Sequence, residues 1–216
     1  MAQTLCNSDG TPAPRVLQER FLDADCSGCW SGAAPVAAPG ASPVAAPRTV
    51  TLDWIVPSAT AADGAAMSAA ALPEAQARLD ALHRAAPSAQ ETLQASAPVG
   101  TARAGALRVA RGAVLADYVG VSIAWAPPRA AAGPVTAWLV LAEALPAGAE
   151  GSAVERLLVR GALTLRWQPK AGTKLSDARS MRVPDTADPA RLRMVGWLED
   201  GRGRILAAAA SVCRPT

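Results

Sequence analysis

Histidine is all but missing from this chain: His83 is the single one in 216 residues. A zinc site of the Cys₂His₂ type is therefore excluded, and Cys₄ is the one zinc arrangement left. A Cys₄ site usually shows two Cys-x-x-Cys knuckles, and Cys26-Ser27-Gly28-Cys29 is the only one here. A Ser-His-Asp or Cys-His nucleophilic site would have to use His83, and no Gly-x-Ser-x-Gly turn follows a strand. Nor does the chain hold a Gly-x-x-x-x-Gly-Lys-Ser/Thr loop or a strand-linked Gly-x-Gly-x-x-Gly. Neither a metal nor a nucleotide-type cofactor is expected.

Large aromatics are also few: six tryptophans, one tyrosine and one phenylalanine. Lysine is nearly absent too, with only Lys170 and Lys174 among the 21 basic residues. The net charge of +3 is spread among acids rather than gathered into a patch. Nucleic-acid binding needs a basic stripe that neutralises phosphates. The nearest candidate, Arg202 and Arg204, sits in an expected hairpin turn and reads as a solvated loop. No apolar run approaches the ~20 residues that span a bilayer. The first six residues lack the basic end and apolar stretch of a signal peptide. They read as a mature end left after leader cleavage, with Met1 added, which an intact-mass measurement on the native protein checks.

What the chain does have is an even set of cysteines: Cys6, Cys26, Cys29 and Cys213. That usage fits an oxidising compartment, the periplasm or the outside of the cell. Three pairings are open, and Cys6–Cys213 with Cys26–Cys29 is the favoured one. The first bond would close nearly the whole chain, a gain of about 4–5 kcal/mol in the chain-entropy model.

Along the chain, residues 7–14 are rich in turn formers and predict an exposed lead-in. Arg15 to Phe21 predicts a strand running into the Cys26–Cys29 segment. Residues 32–47 are rich in Ala, Pro and Gly and predict a flexible loop. Thr49 to Val56 alternates cleanly, with Val50, Leu52, Trp54 and Val56 on one face. Pro73 opens a helix whose Leu72, Leu79 and Leu82 share a face, with His83 at its end as a surface residue. Residues 85–105 carry no strand signal.

From about residue 105 the pattern is of strands: Val119 to Trp125, Val135 to Leu141, Arg156 to Trp167, and Arg191 to Glu199. Arg204 to Val212 pairs with the last of these across Asp200-Gly201-Arg202-Gly203. The fold class expected of this half is an antiparallel β-sandwich, with the tryptophans in its core rather than forming a sugar-binding platform.

A strand that delivers Cys-x-x-Cys to a helix start activates a thiol, because amide N–H groups and the helix dipole stabilise the thiolate. The spacing makes Cys26 the attacking thiol and Cys29 the resolving one. The bland alternative is a structural disulfide. Asp25, next to Cys26, works against a thiolate there. Glu19-x-Phe21-x₄-Cys26-x-x-Cys29 resembles the opening of a family of secreted, thioredoxin-like bacterial proteins of unknown function. Thr51-Leu52-Asp53-Trp54-Ile55 is similar to that family's His-x-Asp-Tyr-Trp strand, and its members also end in a β domain. The chain departs from the pattern in three places. Trp30-Ser31 stands where the family has Pro-Pro, Thr51 stands at its histidine, and its Thr-Pro-x₅-Gly segment is missing.

The resemblance implies an α+β protein. Residues 1–14 would be a lead-in, 15–100 a shortened thioredoxin-like part with the loop 32–47, and 101–216 the β-rich domain. It also implies, for Asp53, a proton relay beneath the dithiol; the alternation alone makes it a solvent-facing acid. The expected function is a non-catalytic envelope subunit that binds a protein partner or joins a larger complex. The alternative is a periplasmic thiol–disulfide oxidoreductase using Cys26 and Cys29.

Overall fold

The computed structural model describes residues 5–32, 48–58, 67–100, 106–127, 133–170 and 172–214. Most of the expected loop over 32–47 thus lies outside the described residues. The strands in chain order are β1 (Leu5–Asn7), β2 (Val16–Asp23), β3 (Thr49–Val56), β4 (Thr92–Pro98), β5 (Ala106–Leu115) and β6 (Tyr118–Ala126). They continue with β7 (Val135–Leu145), β8 (Arg156–Trp167), β9 (Leu175–Arg182), β10 (Leu192–Asp200), β11 (Ile205–Ala210) and β12 (Val212–Arg214). Two short helices interrupt them, α1 (Ser27–Ser31) and α2 (Pro73–Ala81).

Two sheets form. One has five strands in the order β12-β1-β5-β6-β9, and the other seven in the order β11-β10-β7-β8-β3-β2-β4. The β-rich expectation is met, and β5 to β11 pair antiparallel among themselves; the longer sheet is mixed because β2 and β3 join it. β2 runs parallel to β3 over eight registered pairs, and β3 meets β8 in parallel through Asp53 and Leu158. The boundary expected near residue 100 therefore does not separate two bodies of sheet, since strands from both sides of it share one.

Two other expectations change. Leu5–Asn7 is not a free lead-in but a strand: β1 pairs with β12 and β5, and Cys6 within it is buried. Thr92–Pro98 is a strand, antiparallel to β2 at the sheet edge. Its small, polar residues and final proline give little β signal, and an edge position is where proline is tolerated. What holds it is the ladder to β2, a tertiary term that local propensity does not contain.

The seven-stranded sheet is the spine, and each of its faces is covered. On one face the five-stranded sheet packs over β7, β10 and β11, with Val109, Ile123, Trp125, Leu139, Met194 and Leu198 between the layers. On that same face α1 covers Leu22, Ile55 and Leu158 with Trp30. On the other face α2 sets Ala75 and Leu79 against Phe21, Trp54, Trp138 and Trp197. All six tryptophans are buried to about nine-tenths or more, as a core role requires and a sugar platform does not allow.

The sheets approach closely at Gly196. A Cβ there would lie 2.6 Å from Val109 Cγ1 and 3.3 Å from Ile123 Cδ1. Gly196→Ala is accordingly expected to lower stability by about 1–3 kcal/mol through overpacking. Urea unfolding checks it, and an unchanged midpoint would mean that the layers yield at this point.

Candidate functional site

The end of β2 builds the dithiol. The backbone carbonyl of Asp23 accepts the Cys26 N–H at 2.9 Å, and its Oδ1 accepts the Asp25 N–H at 2.8 Å, so the chain turns tightly out of the sheet. Cys26 is the N-cap of α1, and its Sγ accepts the Cys29 N–H at 3.2 Å. Cys26 and Cys29 are joined in a disulfide, as are Cys6 and Cys213. Cys26 is 4% exposed and Cys29 is the more open of the two.

A five-residue helix with glycine inside it has little intrinsic stability. Tertiary contacts supply what α1 lacks. Trp30 is buried, and its Nε1–H donates to the Glu150 carbonyl at 2.6 Å. Arg156 reaches from β8 and donates through Nη2 to the carbonyls of Trp30 at 2.7 Å and Cys29 at 3.2 Å. Its guanidinium also lies over the Trp30 ring, 4.6 Å from the centroid. Helix-end carbonyls have no partner within the helix, so a guanidinium there both satisfies them and complements the dipole.

Beneath α1 lies a buried ionic cluster. Asp53 is fully buried rather than solvent-facing; it accepts from Arg20 Nη2 at 2.6 Å and from Arg156 Nη1 at 3.2 Å. Arg20 and Asp53 are register partners across β2 and β3, which puts both side chains on the α1 face. Burial lowers the pKa of Arg156 from its ordinary value; Asp53 opposes that shift and the nearby Arg20 adds to it. Arg156 Nε donates to Ser152 Oγ at 2.7 Å, so its donors are well occupied. Arg20 differs: its Nε is buried and has no hydrogen-bond partner.

A cleft of about 550 Å³ opens beside this cluster, lined by Arg20, Asp25, Cys26, Cys29, Gln90 and Arg156 among others. Gln90 comes from the segment just before β4, so the strand that the local pattern did not announce delivers one wall. Arg20 and Arg156 also line a second cleft of about 630 Å³ with Thr49, Thr51 and Arg191.

His83 is exposed, with φ at 54°, just past α2 and away from the dithiol cleft. Arg204 pairs with Asp200 in the β10–β11 turn. Glu19, part of the family-like motif, faces the opposite side of the sheet from Asp53. There Arg78 of α2 grips it through Nε at 2.9 Å and Nη2 at 2.7 Å, while Arg78 Nη1 pairs with Glu199 at 2.7 Å. Arg20, Arg156, Arg78 and Glu199 were not picked out from sequence. Arg78 and Glu199 do carry a signal, being charges where the helix or strand pattern points to the core of Leu79, Val195 and Trp197; Arg20 and Arg156 lie on the face opposite the apolar stripe and carry none.

No protein-family model and no curated protein matches the chain. Among solved structures, HBP35 of Porphyromonas gingivalis is similar in fold, with a TM-score of 0.54. The two share 7% sequence identity, and the match covers 96% of this chain and 76% of that one. At that identity the likeness concerns the fold alone. No helix among the described residues is long and apolar enough to cross a membrane. Two disulfides are present, and such bonds persist in oxidising compartments.

Proposed function

We propose that this protein performs thiol–disulfide exchange in the periplasm or outside the cell, with Cys26 and Cys29 as its redox pair. The observation that carries the reading is the placement of that pair. It sits where parallel strand β2 turns into α1 and opens on the 550 Å³ cleft. Strand order supports a trimmed thioredoxin-like unit: β3 lies parallel and β4 antiparallel on either side of β2, with α1 and α2 on opposite faces. Residues 85–105 carry no strand signal in the sequence, and β4 supplies a strand there.

Exposure reverses the roles that the motif implies. A client thiolate attacks Cys29 Sγ, the bond to Cys26 breaks, and Cys26 leaves as a thiolate that accepts the Cys29 N–H. A second client thiolate attacks the mixed disulfide, releasing an oxidised client and the reduced pair. Two electrons pass from client to protein. A Cys26→Ser variant is expected to accumulate a mixed disulfide on Cys29, and Cys29→Ser to accumulate none. Mass spectrometry after incubation with a disulfide reads this directly, and the opposite trapping pattern restores Cys26 as the attacking thiol.

A second reading, a non-catalytic subunit that binds a partner in the envelope, is favoured by one observation. Cys26 is 4% exposed and α1 is tied down by Arg156 and Trp30, which suits a structural staple. Redox titration separates the two. A potential in the range of about −120 to −270 mV supports exchange, and resistance to reduction below about −300 mV makes the pair a staple.

A further inference from the structure

The cleft beside the dithiol contains more charge chemistry than exchange with a neutral client requires. Arg156 spends its donors on Asp53, Ser152 and the carbonyls of α1. Arg20 is 8% exposed, lines the same cleft as Cys26 and Cys29, and holds a buried Nε with no hydrogen-bond partner. A guanidinium carries five donors that suit carboxylate oxygens, and of those on Arg20 it is Nη2 that Asp53 engages. One carboxylate, Asp53, is shared between two guanidinium groups. Asp25 lines the same cleft and is half-buried. A positive and a negative group therefore line one small cavity that also holds a disulfide.

We infer that the clients are small zwitterionic thiols of the α-amino-acid type and their disulfides, held with the carboxylate on Arg20 and the ammonium group on Asp25. This rests on the exchange reading and names its substrate class. In the direction of client reduction, the Cys29 thiolate attacks one sulfur of the client disulfide and the first client thiolate leaves. Cys26 then attacks the mixed disulfide and expels the second. One client disulfide and the protein dithiol become two client thiols and the Cys26–Cys29 disulfide. Asp25 would repel a purely anionic client and Arg20 a purely cationic one, so selection falls on molecules carrying both charges.

Four disulfides of similar size test the inference against the reduced full-length protein: cystine, dithiodiglycolate, cystamine and 2-hydroxyethyl disulfide. They carry both charges, negative charge only, positive charge only and none. Cystine is expected to react fastest, after correction for each probe's own leaving-thiol reactivity against a small dithiol. Its rate relative to 2-hydroxyethyl disulfide is expected to fall about tenfold in Arg20→Gln, the worth of one charge-assisted hydrogen bond. Arg20→Lys recovers part of that ratio and carries the test if Arg20→Gln does not fold. Asp25→Asn is expected to remove the advantage of cystine over dithiodiglycolate. Corrected rates that are equal across the four probes overturn the inference while leaving exchange intact. If no probe reacts, exchange itself fails. Calorimetry with S-methylcysteine, which cannot exchange, then decides the pocket alone: binding that Arg20→Gln weakens supports it, and no binding overturns it.

Discussion

Replacing both Cys6 and Cys213 by alanine is expected to lower the stability of the protein by about 5 kcal/mol, with Cys26–Cys29 left oxidised. The bond spans 207 positions and so removes a very large loop from the unfolded ensemble. In the folded state it pins two short strands, β1 and β12, which face each other across three registered pairs at the edge of the five-stranded sheet. Three-residue strands hold poorly by their own ladder. Without the bond, β1 and β12 should fray first, and hydrogen exchange at position 6 and at Asn7 should rise before global unfolding. Urea unfolding of the double variant measures the total. A loss below about 1 kcal/mol would mean that sheet pairing, and not the crosslink, holds the chain ends.

Arg78→Ala is expected to lower stability by about 3–5 kcal/mol, the usual result of removing one partner from a buried ion pair. In a protein of this size that corresponds to a fall in Tm of roughly 6–20 °C. Arg78 is 1% exposed and lies between Glu19 of β2 and Glu199 of β10, both buried. Its guanidinium also sits over the Trp138 and Trp197 rings at 4.9 and 5.1 Å, while the indole N–H groups of those residues donate to Glu199. Burial acts to lower the pKa of Arg78, but Glu19 and Glu199 outweigh it and raise the value above the ordinary one. Removing the cation leaves two carboxylates buried without it. A triple variant, Arg78→Met with Glu19→Gln and Glu199→Gln, should recover most of the loss because no unpaired charge remains. Thermal unfolding of both proteins separates the two effects. A triple variant as unstable as Arg78→Ala would point to lost packing rather than stranded charge.

The same residues show how far the sequence could be read. The strands with clean alternation, Thr49–Val56 and the run from Val119 to Trp125, formed where expected, because burial of one face is written into a period of two. The dithiol was legible because Cys-x-x-Cys fixes two sulfurs one helical turn apart. Arg156 was not. It stands 127 positions from Cys29, and only the splayed parallel contact of β3 with β8 brings it under α1. Asp53 was visible but misjudged. Its neighbour Trp54 does face a core, yet the opposite face is also buried, under α1, and alternation carries no information on what covers the second side of a sheet.

The sequence by itself determined the short-range terms. These are which segments alternate, where turns break them, that two sulfurs lie close at Cys26 and Cys29, and that an oxidising compartment suits four cysteines. Tertiary structure alone decided that β1 and β4 are strands, that both halves of the chain share one sheet, and that a buried Arg20–Asp53–Arg156 cluster lies beneath the dithiol. The physical reason is range. Propensity, capping and periodicity act over a few residues, whereas a three-residue strand or a buried guanidinium is stable only through partners tens or hundreds of positions away.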